Sequence, residues 1–236
     1  MGRKESKIQR WASHSLGIIF FALSSQYLIS SPIDHHQERF EDVALKIWEY
    51  AELGYLEEKS SSLLQQELKD SGFTIQSGVA GIPTAFIAEY NNGGPVLGIL
   101  GEFDALPGLS QQNVPFKTAE GLSSANGHAC GHHLFGAASA WAVVAIKDWL
   151  EESGTPGTIR FYGTPAEEGG SGKVYIARDG YFDDVDIVLH WHPASGNSAD
   201  AQSSNSNKSG KFTFSGISAH AASAPEKGRS ALDGVE

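Results

Sequence analysis

Thr158-Ile159-Arg160-Phe161-Tyr162-Gly163-Thr164-Pro165-Ala166-Glu167-Glu168-Gly169-Gly170 sets a β-rich run directly against two adjacent carboxylates and two glycines. Its first five residues are mostly β-branched or aromatic and read as a strand. Val174 to Ala177 then begins a helix. Ile187 to Leu189 is a short, wholly apolar run, the pattern of a buried parallel strand. Strand, helix and strand in succession predict an α/β sheet flanked by helices. Open sheets of this kind place their sites beyond the carboxyl ends of the strands.

Upstream the alternation continues. Gly131 to Leu150 reads as a helix with a small-residue face of Gly136, Ala137 and Ala140. Ala85 to Tyr90 and Val96 to Leu100 read as strands, and the intervening Asn91-Asn92-Gly93-Gly94 predicts a hairpin. Phe40, Val43, Ala44, Ile47, Trp48 and Ala51 recur at helical spacing from Phe40 to Leu53, with Gly54 ending the helix. A second helix runs from about Glu58 to Lys69, carrying Leu63, Leu64 and Leu68 on one face and Gly72 just beyond. The polar, Gly- and Pro-rich stretch from Pro107 to Gly127 is too long for a simple connection, and such loops are usually functional or disordered.

Downstream, Ser195 to Ser209 is rich in Ser, Asn and Gly and reads as a linker. Lys211 to Ser215 alternates as a new strand, and a helix begins near Ser230. That element has barely started at Glu236, so the expectation is the N-terminal portion of a longer protein. Its parts are a first domain over 34–207 and the start of a smaller α+β domain over 208–236. Residues 1–33 differ in kind. Arg3, Lys4, Lys7 and Arg10 precede an apolar run from Leu16 to Leu23, and Ala22-Leu23-Ser24 offers a cleavage context, the order of a secretory signal peptide. Export is the expectation, with a cytoplasmic location as the alternative. The run falls short of the ~20 residues that span a bilayer.

With 17 Lys plus Arg against 28 Asp plus Glu, the net charge of the 236 residues is −11. That balance excludes a nucleic-acid partner, which needs a cationic surface, and serves solubility. Cys130 is the only cysteine, so no intrachain disulfide forms. A lone cysteine is ordinarily a small buried hydrophobe, but its neighbours point elsewhere.

Three clusters hold most of the metal-capable side chains. Gly127-His128-Ala129-Cys130-Gly131-His132-His133 opens a helix, Thr164 to Gly170 follows a strand, and His190-Trp191-His192-Pro193 follows the apolar strand. Thiolate, imidazole and carboxylate together suit zinc or manganese rather than calcium or magnesium. Other chemistries fail on the letters. A zincin needs Glu where Ala129 follows His128. A phosphate loop needs Gly at Glu167 and Ser or Thr at Val174. No Gly-x-Ser-x-Gly elbow exists for a serine hydrolase.

The segments Gly101 to Gly108, His128 to His132, Pro165 to Gly169 and Ser218 to Ala222 resemble the aminoacylase and carboxypeptidase-type metallopeptidase family. Within it they are most similar to the branch of p-aminobenzoyl-glutamate hydrolases and auxin–amino-acid conjugate hydrolases. The similarity spans roughly Phe40 to the end, in the family's order. It implies a metallopeptidase-type sheet followed by the start of a dimerisation (lid) domain, with two divalent metal ions, zinc or manganese, in the catalytic domain. By the same resemblance Cys130 is the metal-bridging position, His132, Glu168 and His192 are ligands, and Glu167 is the general base. His190 is a weaker candidate for the later histidine. Asp104 would orient groups near the site. His220 would reach the neighbouring subunit's site in a homodimer and steady the oxyanion of the tetrahedral intermediate.

Two departures stand out. The auxin-conjugate enzymes carry Asp where this chain has His133, and the family takes a further ligand histidine from a C-terminal segment that this sequence lacks. Glu167 and Glu168, adjacent on an extended segment, would point opposite ways, so a bend is needed, and Gly169-Gly170 is the candidate for it. The expected activity is hydrolysis of an amide bond in an N-acyl or aroyl amino acid or a small dipeptide. The alternatives are a Cys130-nucleophile hydrolase and a non-catalytic metal- or ligand-binding relative.

Overall fold

Residue 158 opens the middle strand of a five-stranded mixed sheet. The computed structural model describes residues 33–116, 125–199, 203, 205, 206, 208 and 210–236. The signal-like segment lies outside these residues, as do 117–124 of the long polar loop. No helix among the described residues is long and apolar enough to cross a membrane. The chain divides into two compact units after Ser195.

In the first unit, α1 (Gln37–Tyr50) buries Phe40, Val43, Ala44 and Ile47 as its spacing predicts. It ends at Ala51 in the left-handed region, before Gly54. Next comes α2 (Glu58–Asp70), whose start is held by the Glu52 carboxylate, an acceptor for Lys59 N–H, Ser60 N–H and the Ser60 hydroxyl. These bonds satisfy donors that a helix start leaves open. The strands are β1 (Thr74–Ser77), β2 (Phe86–Asn91), β3 (Val96–Gly101), β4 (Thr158–Gly163) and β5 (Ile187–Leu189). Between them lie α3 (His132–Ser153) and α4 (Gly172–Arg178).

The sheet order is β1-β2-β4-β3-β5, which corrects the expected hairpin. β2 and β3 do not pair with each other. β4 lies between them, antiparallel to β2 and parallel to β3. Asn91 to Gly94 passes over the start of β4, with Asn92 N–H donating to Gly157 O and Thr158 N–H to Pro95 O. A turn-forming run specifies a reversal of direction, but here it leaves room for a strand from much later in the chain.

β5 corrects a second expectation. It is parallel to β3 as predicted, but it forms the sheet edge, and Ile187, Val188 and Leu189 are all exposed. A third correction falls in the second unit. Lys211 to Ser215 is not a strand, and Phe212 is exposed. That unit contains an antiparallel bridge between Ile217 and Arg229 and a short helix α5 (Leu232–Val235), close to the predicted start at Ser230.

Successive residues of β4 serve opposite faces, as the pleat requires. Phe161 joins Phe40, Ile47, Leu64, Phe86, Phe103 and Val143 in a core roofed by α1, α2 and α3. Tyr162 joins Val79, Leu100, Phe135 and Ile176 on the other side. Phe161 is fully buried, with its ring centroid 5.5 Å from that of Phe86. Phe161→Ala should therefore cost about 3–5 kcal/mol, read as a lower urea midpoint at unchanged slope. A loss under about 1 kcal/mol would mean that this core is not assembled in solution.

Candidate metal centre

Three parallel strands deliver the polar residues. β3 runs out into Glu102 and Asp104, β4 into Ala166-Glu167-Glu168, and β5 into His190-Trp191-His192. Cys130 sits just before α3, and Gly131 turns the chain into that helix at φ +80, a left-handed conformation favourable to glycine. His132 is the first residue of α3, and its side chain is completely buried.

His132 organises the cluster. Its Nδ1 lies 2.9 Å from Asp104 Oδ1. Its Nε2 lies 2.9 Å from Glu102 Oε2 and 3.9 Å from both Glu167 Oε2 and Glu168 Oε1. Cys130 Sγ is 3.4 Å from His192 Nε2, and the His192 ring meets His132 edge-on at 5.5 Å. Donor atoms of Cys130, His132 and His192 lie within 4.8 Å of one another, and so do those of Glu102, His132 and Glu167. The two groups share His132. Although 2.9 Å apart, His132 Nε2 and Glu102 Oε2 are buried without an aligned hydrogen bond. A nitrogen and an oxygen converging in this way fit ligands aimed at a common cation, and with a soft thiolate nearby they fit a transition-type divalent ion.

Burial pushes the Cys130 thiol upward, and Glu168, Glu167 and Glu102 push it further, to about 12. A nucleophilic cysteine needs the reverse, a depressed thiol pKa, so the surroundings disfavour the Cys130-nucleophile alternative. Burial lowers the His132 pKa, but hydrogen bonds from Asp104 and Glu102 outweigh it and hold the imidazolium to about 10. Burial raises the Glu102 pKa, yet His132 and Lys173 prevail and take it down to about 2. Glu167 is raised by burial and by the neighbouring Glu102 charge.

The residues singled out from sequence do not all meet. Cys130, His132, Glu167, Glu168 and His192 converge. Asp104 accepts from His132 with one oxygen and from Glu168 N–H, at 3.0 Å, with the other. His190 turns toward Glu102 Oε1 at 3.4 Å and packs edge-on against Phe135. His133 packs against His128 and Trp48, outside both donor groups. His220 belongs to the second unit, where it is exposed and its Nδ1 accepts from Ala222 and Ser223 N–H. The bend expected at Gly169-Gly170 occurs earlier, at Ala166 with φ +56, and Gly170 N–H closes the turn on Ala166 O.

Glu102 is the participant that the sequence reading missed. Its signal was present, because Glu102 and Asp104 flank Phe103 at a strand end, and period-two spacing sends both carboxylates to one side. Its ion-pair partner Lys173 carried no comparable signal.

The sequence pattern of Peptidase family M20/M25/M40 matches residues 98–214. One of the two kinds of subunit of the p-aminobenzoyl-glutamate hydrolase of Escherichia coli (strain K12) is 45% identical over 207 residues, 88% of this chain and 43% of that protein. The chain belongs to the M20/M25/M40 peptidase family. Another M20 relative, the Xaa-Arg dipeptidase of Homo sapiens, is 32% identical over 218 residues, covering 85% of this chain and 46% of its own. Among solved structures, a Bacillus subtilis dinuclear metal binding peptidase of the M20 family superposes with a TM-score of 0.54. It is 26% identical over 66% of this chain and 42% of its own. The chain thus spans less than half the length of these curated relatives.

Proposed function

We propose that this M20 chain supplies the metal-binding half of a hydrolase that cleaves the amide bond of an N-acyl or aroyl amino acid, such as p-aminobenzoyl-glutamate, or of a small dipeptide. The observation that carries the reading is the pair of donor groups sharing His132. Cys130, His132, Glu168 and His192 would hold two divalent ions, zinc or manganese, with Glu102 close enough to join them. When bound, the ions supply Lewis acidity toward the amide carbonyl and make the attacking water more acidic.

The chain's own residues do the rest. Glu167, more exposed than the other carboxylates of the cluster, takes the proton from water and returns it to the leaving amine nitrogen. Asp104 fixes the His132 tautomer by accepting from Nδ1, which leaves Nε2 for the ion. The Escherichia coli hydrolase has two kinds of subunit, both similar to this chain, which supports assembly of this protein with a related chain or a second copy. Export of the protein rests on the N-terminal basic and apolar run alone.

The deciding experiment is metal content per chain after dialysis against zinc or manganese, for the unaltered protein and for Cys130→Ala and Glu168→Ala. Tight binding in the former, reduced about 10-fold or more in each variant, is the expected result. Release of p-aminobenzoate from p-aminobenzoyl-glutamate should then appear with metal and vanish with a chelator. A folded protein that retains no metal would overturn the reading.

A further inference from the structure

We infer that Glu57 is a positioning residue that sets Glu167 and Glu168 in place by gripping the backbone immediately before them. The inference rests on the metal-hydrolase reading for its consequence, but its geometry stands independently. Glu57 is fully buried just ahead of α2. One carboxylate oxygen accepts from Ala166 N–H at 2.8 Å, across more than a hundred residues of sequence. The other accepts from the Thr84 hydroxyl at 3.0 Å.

Ala166 needs such a hold. It sits at φ +56, a conformation that costs a residue bearing a Cβ roughly 1–2 kcal/mol and persists only where the surroundings dictate it. Two more contacts come from the same short segment. A Cβ at Gly54 would lie 2.9 Å from Ala166 Cα, so the two backbones touch. The Tyr55 hydroxyl donates to Gly170 O at 2.5 Å. Gly54 to Glu57 thus grips the turn at both ends, Ala166 and Gly170, with the two glutamates between.

The gripping segment is itself fixed to the site. Leu53 bridges Ala105 in parallel, and Ala105 N–H donates to Glu52 O at 2.8 Å. The chain that carries Asp104 therefore also registers the residues that hold Ala166. Asp104 completes the arrangement by accepting from Glu168 N–H.

Hydrogen bonding, rather than charge, is the working element. A glutamine at 57 would accept from Ala166 N–H with its oxygen and donate to the Thr84 hydroxyl with its amide, whereas a leucine would do neither. The test compares the 236-residue protein with Glu57→Gln and Glu57→Leu. The readouts are zinc affinity and hydrogen exchange of the Thr164–Gly170 amides. Glu57→Leu should bind zinc about 10- to 100-fold more weakly and exchange faster in this turn, while the sheet stays protected. Glu57→Gln should stay within about threefold of the unaltered protein. Thr84→Val, a milder isosteric change, should shift both readouts in the same direction by less, and it serves if Glu57→Leu does not fold.

A folded Glu57→Leu or Thr84→Val variant with unaltered zinc affinity and turn exchange overturns the inference. So does a folded Glu57→Gln as weak as Glu57→Leu. If the unaltered protein binds no zinc but its turn loosens in the variants, the positioning role stands and the hydrolase reading falls. If zinc binds tightly and is indifferent to residue 57, the reverse holds.

Discussion

Replacing Glu167 with Gln should cut amine release about 100- to 10,000-fold while leaving bound metal unchanged. The amide is nearly isosteric and cannot take a proton from water, so only the proton transfer is lost. Glu167 suits that task better than its neighbour. Its oxygen lies 3.9 Å from His132 Nε2 with 41% of the side chain exposed, and burial together with Glu102 raises its pKa toward the working range. Glu168, tied through its backbone to Asp104, should behave differently, with Glu168→Gln losing metal and rate together. Rates measured beside metal content separate the two roles. A Glu167→Gln enzyme of full activity would remove Glu167 as the base, and one that loses its metal would make it a ligand.

Metal affinity should rise about 100-fold per pH unit between roughly pH 7 and pH 9, about tenfold for each of two protons released. Cys130 and His132 must both give up a proton before they can ligate. In the metal-free protein the thiol is held up to about 12 and the imidazolium to about 10, so both remain protonated across this range. The same shifts fix the sign for stability without metal. His132 is raised from its ordinary 6.5, so its ion pairs contribute fully below that pH and fade as pH climbs through about 10. Glu102 is lowered from 4.5, so its share is complete above that pH and fades as pH falls through about 2. The metal-free pair is thus strongest between these ordinary values, and metal displaces it by taking the proton's place. Calorimetric titration in buffers of different ionisation enthalpy should count about two protons released per site filled. A count near zero would show that these groups are not ligands.

Much of the site was legible because metal chemistry is local in sequence. A thiol two residues from a histidine at a helix start, two carboxylates after a strand and a histidine after another strand mark ligands wherever the strands end. The sheet rule then placed them together. Glu102 was equally readable from its spacing to Asp104. Glu57 was not, because nothing near it in sequence distinguishes it from the exposed Glu58 beside it. Its meaning comes from Thr84 and Ala166, which only folding brings to it.

The same division holds for the fold. Periodicity and breakers in the sequence determined the helices, most of the strands, the α/β class and the type of metal donor, since each depends on a residue and its near neighbours. Tertiary structure alone decided that β4 separates β2 from β3, and that Ile187 to Leu189 lies at an exposed edge rather than inside. It also decided that the carboxylate turn bends at Ala166 instead of at the glycines. A turn sequence specifies that the chain reverses, and a short apolar run specifies that it is extended, but neither names its neighbour. Strand order and the left-handed Ala166 are fixed by contacts between residues far apart along the chain, whose net energy local sequence does not contain.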